Sequence, residues 1–104
     1  MCDASGLSET NCARLKYVFA HYPDIQKVIL YGSRAKGNFR PNSDIDLTIM
    51  GDLNWQSFTR LESELDDLLL PYKIDLSLFA HLENTRLIEH IERVGKVFYQ
   101  KEND

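Results

Sequence analysis

The segment from Asp44 to Ile49 constrains the fold more than any other part of the sequence. Its residues alternate between polar and apolar, so that Ile45, Leu47 and Ile49 share one side of a predicted strand. The other side of the same strand carries Asp44 and Asp46. A strand of this kind buries its apolar side in a core and presents two carboxylates on its opposite side.

A second strand with the same alternation is predicted from Ile74 to Leu78. Its apolar residues face inward, and Asp75 and Ser77 face outward. Two neighbouring strands could therefore bring Asp44, Asp46 and Asp75 to one patch. Three clustered carboxylates repel one another, and such hard oxygen ligands suit Mg²⁺ or Mn²⁺. A pair of these ions, about 3.5–4 Å apart, can clamp the attacking and leaving oxygens of a phosphoryl displacement.

A turn with phosphate-binding character precedes these strands. Gly32 and Ser33 follow a short apolar run, and the pattern predicts a strand, a tight turn and a short helix. The glycine allows the backbone to approach a phosphate, the serine can donate its hydroxyl, and free amides at the helix start favour an anion. Arg34 and Lys36 add positive charge, and residues 25–43 contain four basic residues and no acidic one. We predict that Gly32, Ser33, Arg34 and Lys36 bind the phosphates of a nucleotide.

At these positions the chain resembles the polymerase-beta-type nucleotidyltransferase superfamily, and most closely its minimal, MNT-type members. Their pattern is a Gly-Ser pair, ten residues, Asp-x-Asp and a later strand aspartate. Gly32-Ser33, Asp44, Asp46 and Asp75 fill every position of it. The resemblance implies that the three aspartates are the catalytic residues and hold two Mg²⁺ ions, with Mn²⁺ as an alternative. It also implies that ATP is the substrate.

The fold class implied by the resemblance is α/β (α+β), with a small mixed sheet of about four strands packed against helices. The resemblance extends from about residue 8 to residue 100, so we expect one minimal nucleotidyltransferase domain over residues 1–104. A right-handed crossover would place the two carboxylate strands parallel, either adjacent or separated by one strand. Helical spacing and turn residues predict three helices, one between Ser8 and Pro23, one at about 54–69 and one at about 83–94. A last strand is predicted at 96–100.

The resemblance also suggests a partner. Larger members of the superfamily carry a second, mostly helical domain that positions the acceptor. We expect this chain to be too short to contain such a domain. Members of this size resemble the MNT antitoxins that neutralise HEPN-domain ribonuclease toxins by transferring AMP from ATP to a toxin tyrosine. The implied activity is protein adenylylation within a heteromeric complex with a HEPN-domain toxin.

Composition limits the other possible partners. The formal net charge is −4, and Asp52 to Asp67 contains five acidic residues against Arg60 alone, so we expect no direct nucleic-acid binding. This acidic segment is a solvated face or a docking surface for a basic partner. No membrane-spanning run or signal peptide is predicted, and Cys2 and Cys12 are expected to be reduced, as in a cytoplasmic protein.

Two alternatives to a protein adenylyltransferase stay open. The first is an antitoxin that inhibits by complex formation without catalysis. The second is a nucleotidyltransferase that modifies a small molecule or an RNA end. His21, His81 and His90 lack the spacing of metal ligands, so we expect them to be surface or helix-end residues. Trp55 is expected in the core or at its edge rather than stacked on a nucleobase.

Overall fold

The computed structural model describes residues 6–102 and contains one four-stranded sheet with helices on both faces. This confirms the predicted α/β class with a small mixed sheet. In chain order the elements are α1 (Glu9–Ala20), β1 (Ile25–Tyr31), α2 (Ser33–Lys36), β2 (Ile45–Gly51), α3 (Trp55–Asp66), β3 (Ile74–Leu78), a 3₁₀ turn (Phe79–His81), α4 (Thr85–Val94) and β4 (Lys96–Gln100).

The sheet order is β3-β2-β1-β4. Strand β1 is antiparallel to both of its neighbours, β2 and β4, whereas β2 and β3 are parallel and directly adjacent. The α3 crossover between β2 and β3 therefore gives the parallel pairing expected from the sequence. In the register of these strands Asp46 pairs with Tyr31 on one side and with Asp75 on the other.

The two faces of the sheet are covered by different helices. On one face α1 and α3 pack over Ile45, Leu47 and Ile49, which are at most 1% exposed, as the alternation predicted. On the opposite face α4 and the segment after β3 form a second, smaller apolar cluster around Ile29 and Ile91. This second layer lies on the same side of the sheet as the predicted site.

Asparagine and serine side chains mark where the helices begin. The Ser8 side chain accepts a hydrogen bond of 3.1 Å from the Asn11 amide and so caps α1, which confirms that this helix begins after Ser8. Asn54 caps α3 in the same way. Helix α3 ends at Asp66, earlier than predicted, because the chain then turns through Leu69, whose φ of 54° is left-handed.

Two further expectations concern single residues. Trp55 begins α3 at the edge of the core, where it is 65% exposed and stacks on Phe58 with ring centroids 5.1 Å apart. Cys12 is buried and disulfide-bonded, so the expectation that it is reduced was wrong, because spacing in sequence does not report the distance between sulfur atoms. Cys2 lies outside the described residues. Within residues 6–102 no helix has both the length and the apolar character to cross a bilayer.

Candidate active site

The parallel pairing of β2 and β3 places the predicted carboxylates together. Asp46 and Asp75 occupy equivalent positions on adjacent strands, and their side chains project from the same side of the sheet. Asp44 lies immediately before β2, two residues from Asp46 and therefore on the same side. Asp44 and Asp75 are exposed and Asp46 is partly buried, so the patch opens to solvent.

Electrostatic repulsion acts within this patch. Burial raises the pKa of the Asp46 carboxyl above its usual value, and the negative charges of Asp75 and Asp44 raise it further. The protein therefore holds Asp46 in a setting that disfavours its ionised form. A bound cation would remove that penalty, because its charge would offset the three carboxylates.

The chemistry of these side chains fits a divalent metal ion, since all three supply hard oxygen donors. The arrangement of these side chains fits such an ion less well. Among residues 6–102 no group of three or more histidine, cysteine, aspartate and glutamate side chains is already arranged to hold a metal ion. The predicted metal-binding role of Asp44, Asp46 and Asp75 thus requires their side chains to close around the ion, and it stays a prediction.

The Gly32-Ser33 turn is in direct contact with this carboxylate patch. Gly32 directly follows β1 and is the N-cap residue of α2. Its φ of 74° and ψ of −156° form a conformation that is nearly exclusive to glycine. A Cβ on Gly32 would lie 3.1 Å from the Asp46 Cγ and closer still to the Asp46 Oδ2. The missing side chain is therefore what allows the turn to lie against Asp46.

Arg34 and Lys36, both predicted to bind phosphate, have very different environments. The Arg34 side chain is 1% exposed, and its guanidinium donates to the Ser43 carbonyl oxygen from Nε at 3.2 Å and from Nη2 at 2.9 Å. The same group lies over the rings of Phe39 and Tyr72, at 5.1 and 4.7 Å from their centroids. This geometry favours a structural role for Arg34, which anchors the loop before β2. Lys36 is exposed at the end of α2.

Sequence reasoning did not predict a hydrogen bond between two hydroxyl groups beside the carboxylates. The Ser77 hydroxyl donates to the Thr48 hydroxyl at 2.9 Å, and Thr48 is fully buried. Burial raises the pKa of the neighbouring Tyr31 phenol, and the charges of Asp75 and Asp46 raise it too, while a hydrogen bond with Ser77 opposes the rise. The alternation places Thr48 and Ser77 on the same sides of their strands as Asp46 and Asp75, but it does not show that the two hydroxyl groups meet.

Sequence reasoning also misplaced His90, which was expected to be a surface or helix-end residue. It lies on α4, and its Nε2 accepts a hydrogen bond of 3.1 Å from the Gly32 amide. Its ring meets the Tyr31 ring edge to face, with centroids 6.2 Å apart. No local signal in the sequence marks this contact, because 58 residues separate His90 from Gly32.

Comparison with known proteins agrees with this geometry. Residues 13–104 match the family described as Polymerase beta, Nucleotidyltransferase. The chain belongs to this nucleotidyltransferase family. The resemblance inferred from the Gly-Ser and aspartate motif, and the predicted enzyme class, are thereby confirmed. A protein of Methanocaldococcus jannaschii, whose name proposes a protein adenylyltransferase, is 36% identical over 82 residues, which cover 72% of this chain and 79% of that one.

Several solved structures with the same fold come from toxin–antitoxin complexes. One is a crystal structure of a toxin–antitoxin with AMP-PNP, matched with a TM-score of 0.68 and 24% identity over 92% of this chain and 76% of that one. Another is a complex of the tri-AMPylated Shewanella oneidensis HEPN toxin with its MNT antitoxin, with a TM-score of 0.66 and 19% identity over 91% and 74% of the two chains. At these identities the likeness shows a common nucleotidyltransferase fold.

Proposed function

We propose that this nucleotidyltransferase is the antitoxin of a HEPN/MNT pair and transfers AMP from ATP to a tyrosine hydroxyl of a HEPN-domain toxin. The reaction would depend on Mg²⁺. Its catalytic residues would be Asp44, Asp46 and Asp75, and its phosphate-binding residues Gly32 and Ser33, with Lys36 adding charge at the mouth of the site.

One observation carries this proposal. Gly32 lies so close to Asp46 that no side chain fits between them, and Asp46 is paired in register with Asp75. A turn suited to phosphate and a cluster of carboxylates are therefore parts of a single site. A purely structural role is less favourable for Asp46, because burial and the charges of Asp75 and Asp44 raise the pKa of its carboxyl, so its charge is costly without a cation.

The proposed reaction forms a bond between the acceptor oxygen and the α-phosphorus and breaks the bond from that phosphorus to pyrophosphate. The Gly32-Ser33 turn would hold the terminal phosphates and so fix the direction in which pyrophosphate leaves. Asp75 is exposed at the edge strand of the sheet, where an acceptor can approach, and it would take the proton of the acceptor hydroxyl.

Mg²⁺, when held by Asp44, Asp46 and Asp75, would neutralise charge on the phosphates and lower the pKa of the acceptor hydroxyl. The three carboxylates have a second task in this arrangement. Their mutual repulsion keeps the empty site unfavourable, which strengthens its preference for a cation–nucleotide complex.

The nature of the acceptor is supported by the relatives rather than by the site itself. The M. jannaschii name proposes a protein substrate, and the S. oneidensis complex contains a HEPN toxin carrying three AMP groups beside an MNT antitoxin. The choice of ATP is supported by the AMP-PNP of the other toxin–antitoxin structure. Exposed Glu62, Asp66 and Asp67 on and after α3 would suit a partner with a basic surface.

Intact-mass spectrometry of a co-expressed HEPN-domain protein, after incubation with this chain, ATP and Mg²⁺, tests the proposal. We expect a gain of one or more AMP masses on the HEPN protein. The double variant Asp44→Asn, Asp46→Asn should give no gain. Glu9→Gln, Glu92→Gln is the matched control, because it removes the same charge from exposed positions on α1 and α4, away from the acidic segment of α3. An unchanged mass in a stable complex would contradict catalysis and indicate inhibition by binding alone.

A further inference from the structure

His90 connects α4 to the phosphate-binding turn. Its Nε2 lies 3.1 Å from the Gly32 nitrogen, and it is partly buried. A backbone N–H can only donate, so Nε2 is the acceptor and the neutral ring carries its proton on Nδ1. The imidazole therefore acts here as a fixed hydrogen-bond acceptor for the peptide that joins Tyr31 to Gly32.

The position of the His90 ring is itself well determined. Its edge-to-face contact with Tyr31 holds one side of the ring. One residue further along α4, Ile91 is 3% exposed and packs with Ile29 of β1. At the end of the same helix a Cβ on Gly95 would lie closer than van der Waals contact to the Ile29 Cγ2, so α4 approaches β1 very closely. His90 thus reaches the turn from a helix that is packed closely against β1.

The turn has particular need of such support. Gly32 has a left-handed φ of 74°, and without a side chain its backbone can rotate more freely than that of any other residue. The Gly32 peptide also determines where the following amides of α2 point and how closely the turn lies against Asp46. A single hydrogen bond on the Gly32 amide can therefore orient the whole phosphate-binding turn.

We infer that His90 is a positioning residue for nucleotide binding, which holds the Gly32 peptide in the orientation that presents the turn to the phosphates. This role rests on the function proposed above. It acts through the backbone of Gly32 and requires no contact between His90 and the nucleotide. Loss of one such hydrogen bond should weaken nucleotide binding about tenfold, because a net backbone–side-chain hydrogen bond has about that effect on an equilibrium.

Three variants of the full chain separate this role from a purely structural one. His90→Phe keeps a ring against Tyr31 but has no acceptor. His90→Gln places an amide oxygen where Nε2 lies and can accept from the Gly32 amide. His21→Phe is the matched control, because His21 lies at the end of α1 beside the start of β1, whereas Gly32 follows the other end of that strand. The dissociation constant of AMP-PNP with Mg²⁺ is measured by calorimetry, and thermal unfolding is recorded for each variant.

We expect His90→Phe to raise the dissociation constant about tenfold, and His90→Gln and His21→Phe to stay close to the original chain. Equal affinity of His90→Phe and the original chain, or a Gln variant as weak as the Phe variant, would overturn the positioning role. If the Phe variant unfolds, His90→Asn, whose shorter amide cannot reach Gly32, takes its place against His90→Gln with the same expected difference. Failure of the original chain itself to bind AMP-PNP would instead overturn the proposed function, and this role with it.

Discussion

Replacement of Gly32 by alanine tests the contact between the Gly32-Ser33 turn and the carboxylate patch. The new Cβ would lie 3.1 Å from the Asp46 Cγ and nearer than that to Oδ2, and Oδ2 cannot stay where it is. Because the turn is bound to β1 and α2 on either side, the Asp46 carboxylate is the part that can move. We expect it to withdraw by about 1 Å.

The size of the effect follows from two separate contributions. A displacement of about 1 Å at a reacting centre costs on the order of a hundredfold in rate, so AMP transfer should fall by about that factor. The φ of 74° with a ψ of −156° costs a residue with a Cβ about 1–3 kcal/mol of stability. The variant should therefore be less stable, yet its loss of activity should be larger than its loss of folded protein explains.

Gly37→Ala is the matched control, because Gly37 also has a left-handed φ, of 86°, but no atom lies within 4 Å of its prospective Cβ. It should lose about 1–2 kcal/mol through its backbone alone and keep its transfer rate. Urea unfolding gives the stability of both variants, and AMP transfer to the HEPN protein is measured at a temperature where both are folded. The reasoning would be refuted if Gly32→Ala transferred AMP as fast as Gly37→Ala.

Two further predictions concern the charged residues of the site. The raised pKa of Asp46 means that the folded protein binds this proton more tightly than the unfolded chain, so stability falls as the pH rises from the usual value of 3.8 through the raised pKa. In EDTA, Asp46→Asn should therefore unfold at a higher urea concentration than the original chain at pH 7, with a smaller gain at pH 4. No gain at pH 7 would contradict the cost of holding the Asp46 charge partly buried and beside Asp75 and Asp44. Arg34→Lys should lose about 1–3 kcal/mol in urea unfolding, because lysine cannot reproduce the donors to Ser43. Under conditions where both variants are folded, Arg34→Lys should bind AMP-PNP with higher affinity than Lys36→Ala does. The opposite order of affinities would support a phosphate-binding role for Arg34.

Local sequence was sufficient to predict most of the fold. Alternation depends only on neighbouring residues, and it correctly predicted the positions of strands β2 and β3 in the sequence. Caps are equally local, which is why the Ser8 start of α1 could be predicted. The end of α3 could not be predicted as well from the sequence, because Leu69 in the following turn has a left-handed φ, which leucine does not favour.

The site was only partly accessible to such reasoning. The spacing of Gly32 and the aspartates indicates a shared site, and the structure brings these residues together. Arg34 was predicted on charge and proximity to the motif, but burial decides what a charged side chain can contact, and its guanidinium lies between Phe39 and Tyr72. Charge in a sequence therefore indicated a basic loop without showing which of its side chains faces solvent.

The sequence by itself determined which residues can serve a nucleotidyl transfer site, because carboxylates, a glycine and strand periodicity are properties of short segments. The tertiary structure alone decided how these parts meet. The parallel register of β2 and β3 pairs Asp46 with Asp75, and α4 returns to the turn so that His90 accepts from Gly32. Both contacts join residues far apart in the chain, and the packing of the sheet between its two helical layers, rather than any local preference, sets their distances.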